Sequence, residues 1–148
     1  MASLLVEQDR TALLRRIAAL TPASPRRWGR MSVDAMVCHL GESARMALGD
    51  LPTVSKSKRA FQTFPLKHLI LYVVPFPKGA PTAPELIAAQ PQAFEAERAR
   101  LLELLARLVE RGGDGAGPAH PLFGPLSYAE WGVATYKHSD HHLKQFSA

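Results

Sequence analysis

Apolar residues recur at helical spacing along four stretches of this chain. Leu4, Leu5, Leu13, Leu14, Ile17 and Leu20 predict a first helix from about Ser3 to Leu20, with Ser3 as its cap. Thr21, Pro22, Ser24 and Pro25 end it, and Trp28 is the one large aromatic in the connector that follows. Ser32 caps a second helix, which carries Val33, Met36, Val37, Leu40, Ala44, Ala47 and Leu48 on one side and closes at Gly49–Pro52. Leu101, Leu102, Leu104, Leu105, Leu108 and Val109 mark a third helix from Pro91 to Arg111, with Gly112 and Gly113 past its end. Ser127 and Glu130 form a capping box that opens a last helix reaching about Phe146.

Residues 50–90 break this regularity. The segment Pro65–Pro75 is either a short buried helix or a strand, because periodicity does not separate the two in so short an apolar run. Pro75, Pro77, Pro81 and Pro84 then predict a rigid, extended crossing. Gly112–Gly117 reads as a flexible turn. Four amphipathic helices with one long irregular crossover between the second and third predict an all-α protein, a four-helix bundle forming a single domain over residues 1–148.

Composition narrows the class. Hydrophobic residues make up 47% and charged residues 21%, and no apolar run approaches the roughly 18 residues of a membrane span. The amino terminus has no basic segment ahead of an apolar one, so no signal peptide is predicted. Cys38 is the only cysteine, which excludes an intramolecular disulfide and fits a reducing, cytoplasmic setting. The formal net charge of +5 raises nucleic acid as a partner. The basic residues do not alternate with aromatics, however, and no zinc-finger or RNA-recognition signature is present, so neither nucleic acid nor membrane is expected.

The chemistry lies in the histidines. On a wheel of about 100° per residue with Trp131 at zero, Thr135, His138 and His142 fall within roughly 40° of it, while Val133, Asp140 and Lys144 point the opposite way. His138 and His142, four apart, stack on the face turned toward the core, where two imidazoles can grip one divalent ion. His141 lies about 80° off the stripe, so His138/His141 is the weaker pair. His39, about 60° from the centre of the second helix's stripe, is the natural third ligand. Three histidines make a catalytic rather than a structural ligand count. The competing reading is a set of core histidines hydrogen-bonded to backbone or hydroxyl groups. Glu42 is a candidate acid/base or outer partner, or else a solvated helix carboxylate. Cys38 reads as a packed thiol. His68 and His120 sit in connectors, and His120 is expected to hydrogen-bond locally. Trp28, Trp131 and Tyr136 read as core or pocket wall.

Two stretches resemble the DinB-like superfamily. One is Trp28 to Leu40, with His39 near its end; the other runs from His120-Pro-Leu-Phe-Gly-Pro-Leu through Glu130-Trp131-Gly132 and Tyr136-Lys137-His138 to Phe146, and is similar to one branch of that superfamily. The resemblance implies a bundle whose metal (zinc or nickel, or iron) is held by one histidine of the second helix and an H-x-x-x-H pair of the last. Matched residue by residue, these are His39, His138 and His142. It also implies a homodimer and thiol-dependent transferase chemistry on a small-molecule substrate, in which the ion lowers the pKa of a low-molecular-weight thiol. Arg26, Arg27 and Lys56 are candidates for attracting an anionic thiol cofactor. The alternatives are metal-dependent hydrolysis at the same site, with Glu42 as base, and a non-catalytic metal-binding or dimerisation module.

Overall fold

The computed structural model of the protein describes residues 1–53, 57–79, 86, 89–113 and 115–148. It is mostly helical, with one small two-stranded sheet. The long helices are α1 (Glu7–Ala19), α2 (Val33–Leu48), α3 (Phe94–Arg111) and α4 (Tyr128–Gln145); β1 (Ala116–His120) and β2 (Gly124–Ser127) lie between α3 and α4.

α2 is the axis of the molecule. Ser32 Oγ accepts the Ala35 N–H at 3.2 Å, and Gly49, with φ of +83°, supplies the left-handed closing residue that a Cβ would disfavour. Every residue from Met36 to Ala44 is buried, because α2 packs along α3 on one side and against α4 and β1 on others. A helix covered on several sides buries its polar positions along with its apolar ones, which explains why His39, Glu42 and Ser43 are all inside. α4 begins with the expected capping box: Ser127 Oγ accepts from Glu130 N at 3.2 Å and Glu130 Oε2 accepts from Ser127 N at 2.8 Å. It packs against α1 as well as α2, and its buried apolar residues are Trp131, Val133, Ala134 and Leu143.

Several boundaries differ from those the pattern predicts. α1 starts at Glu7, not Ser3. The Leu4 N–H bonds Gly132 O at 3.0 Å, and Ser3 accepts from Leu5 and donates its N–H to Asp9, so this segment is tied to α4 before the helix begins. α3 starts at Phe94 rather than Pro91, since Ala93 is extended and the Glu97 carboxylate reaches back to the Gln92 N–H. The end of the Gly112–Gly117 turn and the stretch after it, for which no strand is predicted, form an antiparallel hairpin in which His120 pairs with Gly124 and Ala116 with Ser127, with an irregularity between Ala116 and Ala119. The Pro65–Pro75 segment is helical, as Leu66–His68 followed by a wider-wound turn over Leu69–Val73. Only Leu71 of these is fully buried, and Leu69 and Val73 are exposed. Pro81 and Pro84, half of the expected proline crossing, lie outside the described residues. Among the described residues, no helix is long and apolar enough to cross a membrane.

Candidate metal centre

Three histidines from two helices meet, His39 buried and His138 and His142 partly buried. His39 comes from the middle of α2, and His138 and His142 lie one turn apart on α4. Their ring centroids form a nearly equilateral triangle, with His39–His138 at 4.8 Å, His39–His142 at 4.9 Å and His138–His142 at 4.8 Å, each pair of rings steeply inclined. One ring nitrogen from each lies within 4.8 Å of the others. The Nε2 atoms of His39 and His138 approach to 3.0 Å.

The hydrogen bonds on the far side of each ring decide which nitrogens are free. His39 Nδ1 is 3.4 Å from Leu86 O, a backbone acceptor, so Nδ1 carries the hydrogen and Nε2 the lone pair. His142 Nδ1 is 2.9 Å from Gln145 Oε1, also an acceptor, with the same consequence. His138 Nδ1 is 3.1 Å from Ser43 Oγ. A hydroxyl both donates and accepts, so Ser43 serves either tautomer of His138. When Ser43 donates, His138 holds one hydrogen between itself and His39; when Ser43 accepts, all three Nε2 lone pairs are available together.

Burial sets the charge. It pushes all three imidazoles below the usual histidine range. His142 falls to about 4 despite its bond to Gln145, and His138 falls well below its ordinary value, with the neighbouring imidazoles adding to the effect. His39 is lowered by burial against the opposing pull of its Leu86 bond. At neutral pH the site therefore holds three uncharged imidazoles, each oriented through Nδ1. Neutral imidazole with an outer acceptor on the second nitrogen is the form that ligates divalent metal. By donor chemistry, His39, His138 and His142 fit a divalent ion.

Around them stand Phe76, with its ring 6.1 Å from His138 and 6.2 Å from His141, and Trp28, 6.0 Å from His141 and covered by Lys78 Nζ at 4.4 Å. His141, on the flank as the wheel places it, is outside the triad. The Arg26 guanidinium folds onto the carbonyls of Arg30 and Met31, and Arg27 Nε donates to Ser147 Oγ; both arginines are exposed. Lys56 lies outside the described residues. Glu42 is buried among cations rather than histidines: Arg45 and Arg100 each bond one of its carboxylate oxygens. Cys38 is a packed thiol, its pKa raised first by burial and then by Glu97 and Glu42.

Asp140 does not face open water as the wheel suggests. It is paired with Arg16 of α1 at 2.7 Å and with Lys144 at 2.7 Å, because the second side of α4 packs on α1. His120 bonds locally, as expected, accepting from the Leu122 and Phe123 N–H groups at 3.0 and 3.3 Å. Ser43 and Gln145 were not singled out from the sequence. Ser43 sits four residues after His39, and Gln145 three after His142 at about 40° from the stripe's centre, so helical spacing from a candidate ligand was the signal available.

The fold and the three-imidazole centre together define a helical protein suited to holding a divalent cation in its core. The chain belongs to the DinB superfamily, whose family model matches residues 5–146. No curated protein and no solved structure matches it significantly.

Proposed function

We propose that this protein binds one divalent metal ion through His39, His138 and His142 and uses it in a small-molecule, thiol-dependent transfer reaction. The observation that carries the metal is the convergence of three neutral imidazoles whose Nδ1 atoms are all engaged outside the triad. Three protein ligands is the count of catalytic zinc sites, which keep a position for an exchangeable group. Zinc or nickel suits an all-imidazole set, and iron is also compatible. When bound, the ion supplies Lewis-acid stabilisation of a thiolate.

The chain's own residues would do the rest. Phe76 and Trp28 shield the site from bulk water, and Arg26, Arg27 and Lys56 attract an anionic thiol. Glu42, with both carboxylate oxygens on guanidinium groups, offers the hydrolytic reading no free base, so thiol transfer leads. In this reading the four long helices form one four-helix bundle with a long irregular crossover between α2 and α3. We read the carboxy-terminal signature as that of one branch of the superfamily and the working form as a cytoplasmic homodimer.

Elemental mass spectrometry of untagged protein tests the site. About one ion per chain in the wild type and none in His138→Ala is the expected result. A wild type that stays metal-free after exposure to zinc, nickel and iron sinks the proposal and leaves three hydrogen-bonded core histidines. With metal shown, turnover of electrophiles only when a thiol is added supports the transferase. Turnover in water alone supports the hydrolase, and unfolding on chelation supports a structural module.

A further inference from the structure

Gln145 stands at the last residue of α4 and is 5% exposed. Its amide can be oriented from its partners. Nε2 lies 2.9 Å from Trp28 O, a carbonyl that only accepts, so the NH2 group must face the loop. Oε1 is then the atom 2.9 Å from His142 Nδ1, and the imidazole must donate to it. The same residue's backbone oxygen accepts the Arg27 N–H at 2.8 Å. Gly29 completes the fit: its φ is +79°, and a Cβ there would come within 2.5 Å of Gln145 Nε2. Three consecutive residues of one loop thus meet a single residue, Arg27 at its backbone and Trp28 and Gly29 at its side chain.

We infer that Gln145 is a positioning residue that joins the 26–31 loop to the metal centre: the Trp28 carbonyl fixes the amide, the amide fixes His142 in its Nδ1–H form, and that tautomer leaves the Nε2 lone pair free to ligate. Its purpose rests on the metal reading, but the tautomer lock is a property of the metal-free chain and can be read without metal. The inference makes Gly29 part of the centre although it touches no histidine. It also ties the ring of Trp28, which stands beside His141, to the ligand behind it.

The test uses 15N NMR of the histidine side chains in metal-free, full-length protein, with zinc affinity from competition against a chelating dye. Wild type is expected to show His142 hydrogen-bearing at Nδ1. Gln145→Leu should free the tautomer and weaken zinc binding about 10–100-fold, the usual cost of losing an outer partner. Gln145→Glu keeps an acceptor for His142 and should recover most of that affinity. Gly29→Ala leaves Gln145 in place but displaces its amide, and should weaken zinc in the same direction. If Gln145→Leu does not fold, Gly29→Ala and Gln145→Glu carry the comparison.

A wild-type His142 bearing its hydrogen on Nε2, or a folded Gln145→Leu that binds zinc as tightly as wild type, overturns the inference. A wild type with the predicted tautomer that binds no zinc instead overturns the metal reading and leaves the lock standing.

Discussion

His39 and Glu42 lie three residues apart on α2, each only 3% exposed, and head two buried polar clusters built on opposite principles. Around Glu42 the charges cancel: Arg45 and Arg100 bond its two oxygens, and Arg100 also reaches Glu97 at 3.2 Å, so two carboxylates meet two guanidiniums across α2 and α3. Around His39 nothing cancels. Three imidazoles spend their Nδ1 atoms outward on Leu86, Ser43 and Gln145 and turn their Nε2 edges toward one another, with no opposite charge among them. Burial alone therefore does not mark a functional site, since His39 and Glu42 are equally buried. A polar cluster that satisfies itself is a structural joint, whereas one whose acceptors converge is built for something that donates or coordinates.

The sharpest break in this comparison is an exchange of phenotypes. His138→Ala should take metal content from about one ion per chain to none, with little change in the unfolding of the metal-free protein beyond the lost side chain. Glu42→Gln should do the reverse. It leaves two guanidiniums facing a neutral amide, and breaking such a pair costs about 2–3 kcal/mol here, below the fully buried case because both arginines remain about one-third exposed. Urea unfolding measures that loss, and elemental analysis should find the metal unchanged. A Glu42→Gln protein of full stability that binds metal but has lost turnover would return Glu42 to an acid/base role.

His120 sharpens the contrast from a third side, being a partly buried histidine of the opposite tautomer. Its Nδ1 accepts two backbone N–H groups in the turn between β1 and β2, so the neutral ring carries its hydrogen on Nε2. Burial lowers its pKa to about 4. The sign follows from linkage: above pH about 6.5 both folded and unfolded forms are neutral, while below it the unfolded chain gains a proton that the folded one refuses. Stability should therefore fall from pH about 6.5 to about 4, by up to roughly 3 kcal/mol from this residue. His120→Asn keeps an acceptor for the turn without a titrating group. Its pH–stability profile should be flatter than wild type by that amount, and parallel profiles would refute the assignment.

The histidine triad was legible because a helix wheel needs only spacing, and His138 and His142 fall on the stripe with Trp131. The wheel failed for Asp140 because it assumes one buried side. α4 lies between α2 and α1, so the second side meets Arg16 instead of water. The hairpin left no trace in the pattern, since Ala116–His120 and Gly124–Ser127 hold glycine, proline and alanine where strands usually show β-branched residues. Gln145 was within reach of the same spacing, three residues after His142, but its other partner is a carbonyl 117 residues away, a relation no local periodicity carries.

Thr135 offers the smallest and finest test, one turn before His138 on α4. Its hydroxyl oxygen is buried and has no hydrogen-bond partner among the described residues. A hydroxyl held dry and unpaired costs on the order of 1 kcal/mol relative to an apolar group of the same shape. If it is merely trapped there, Thr135→Val should stabilise the metal-free protein by about that much in urea unfolding and leave zinc affinity unchanged. If it instead serves the open character of the histidine region, valine should leave stability flat or lower and weaken binding of whatever joins the metal beside the imidazoles. The same exchange has no counterpart in the Glu42 cluster, where both oxygens of the central carboxylate are engaged. The sign of this one measurement therefore separates a packing imperfection from a part of the site.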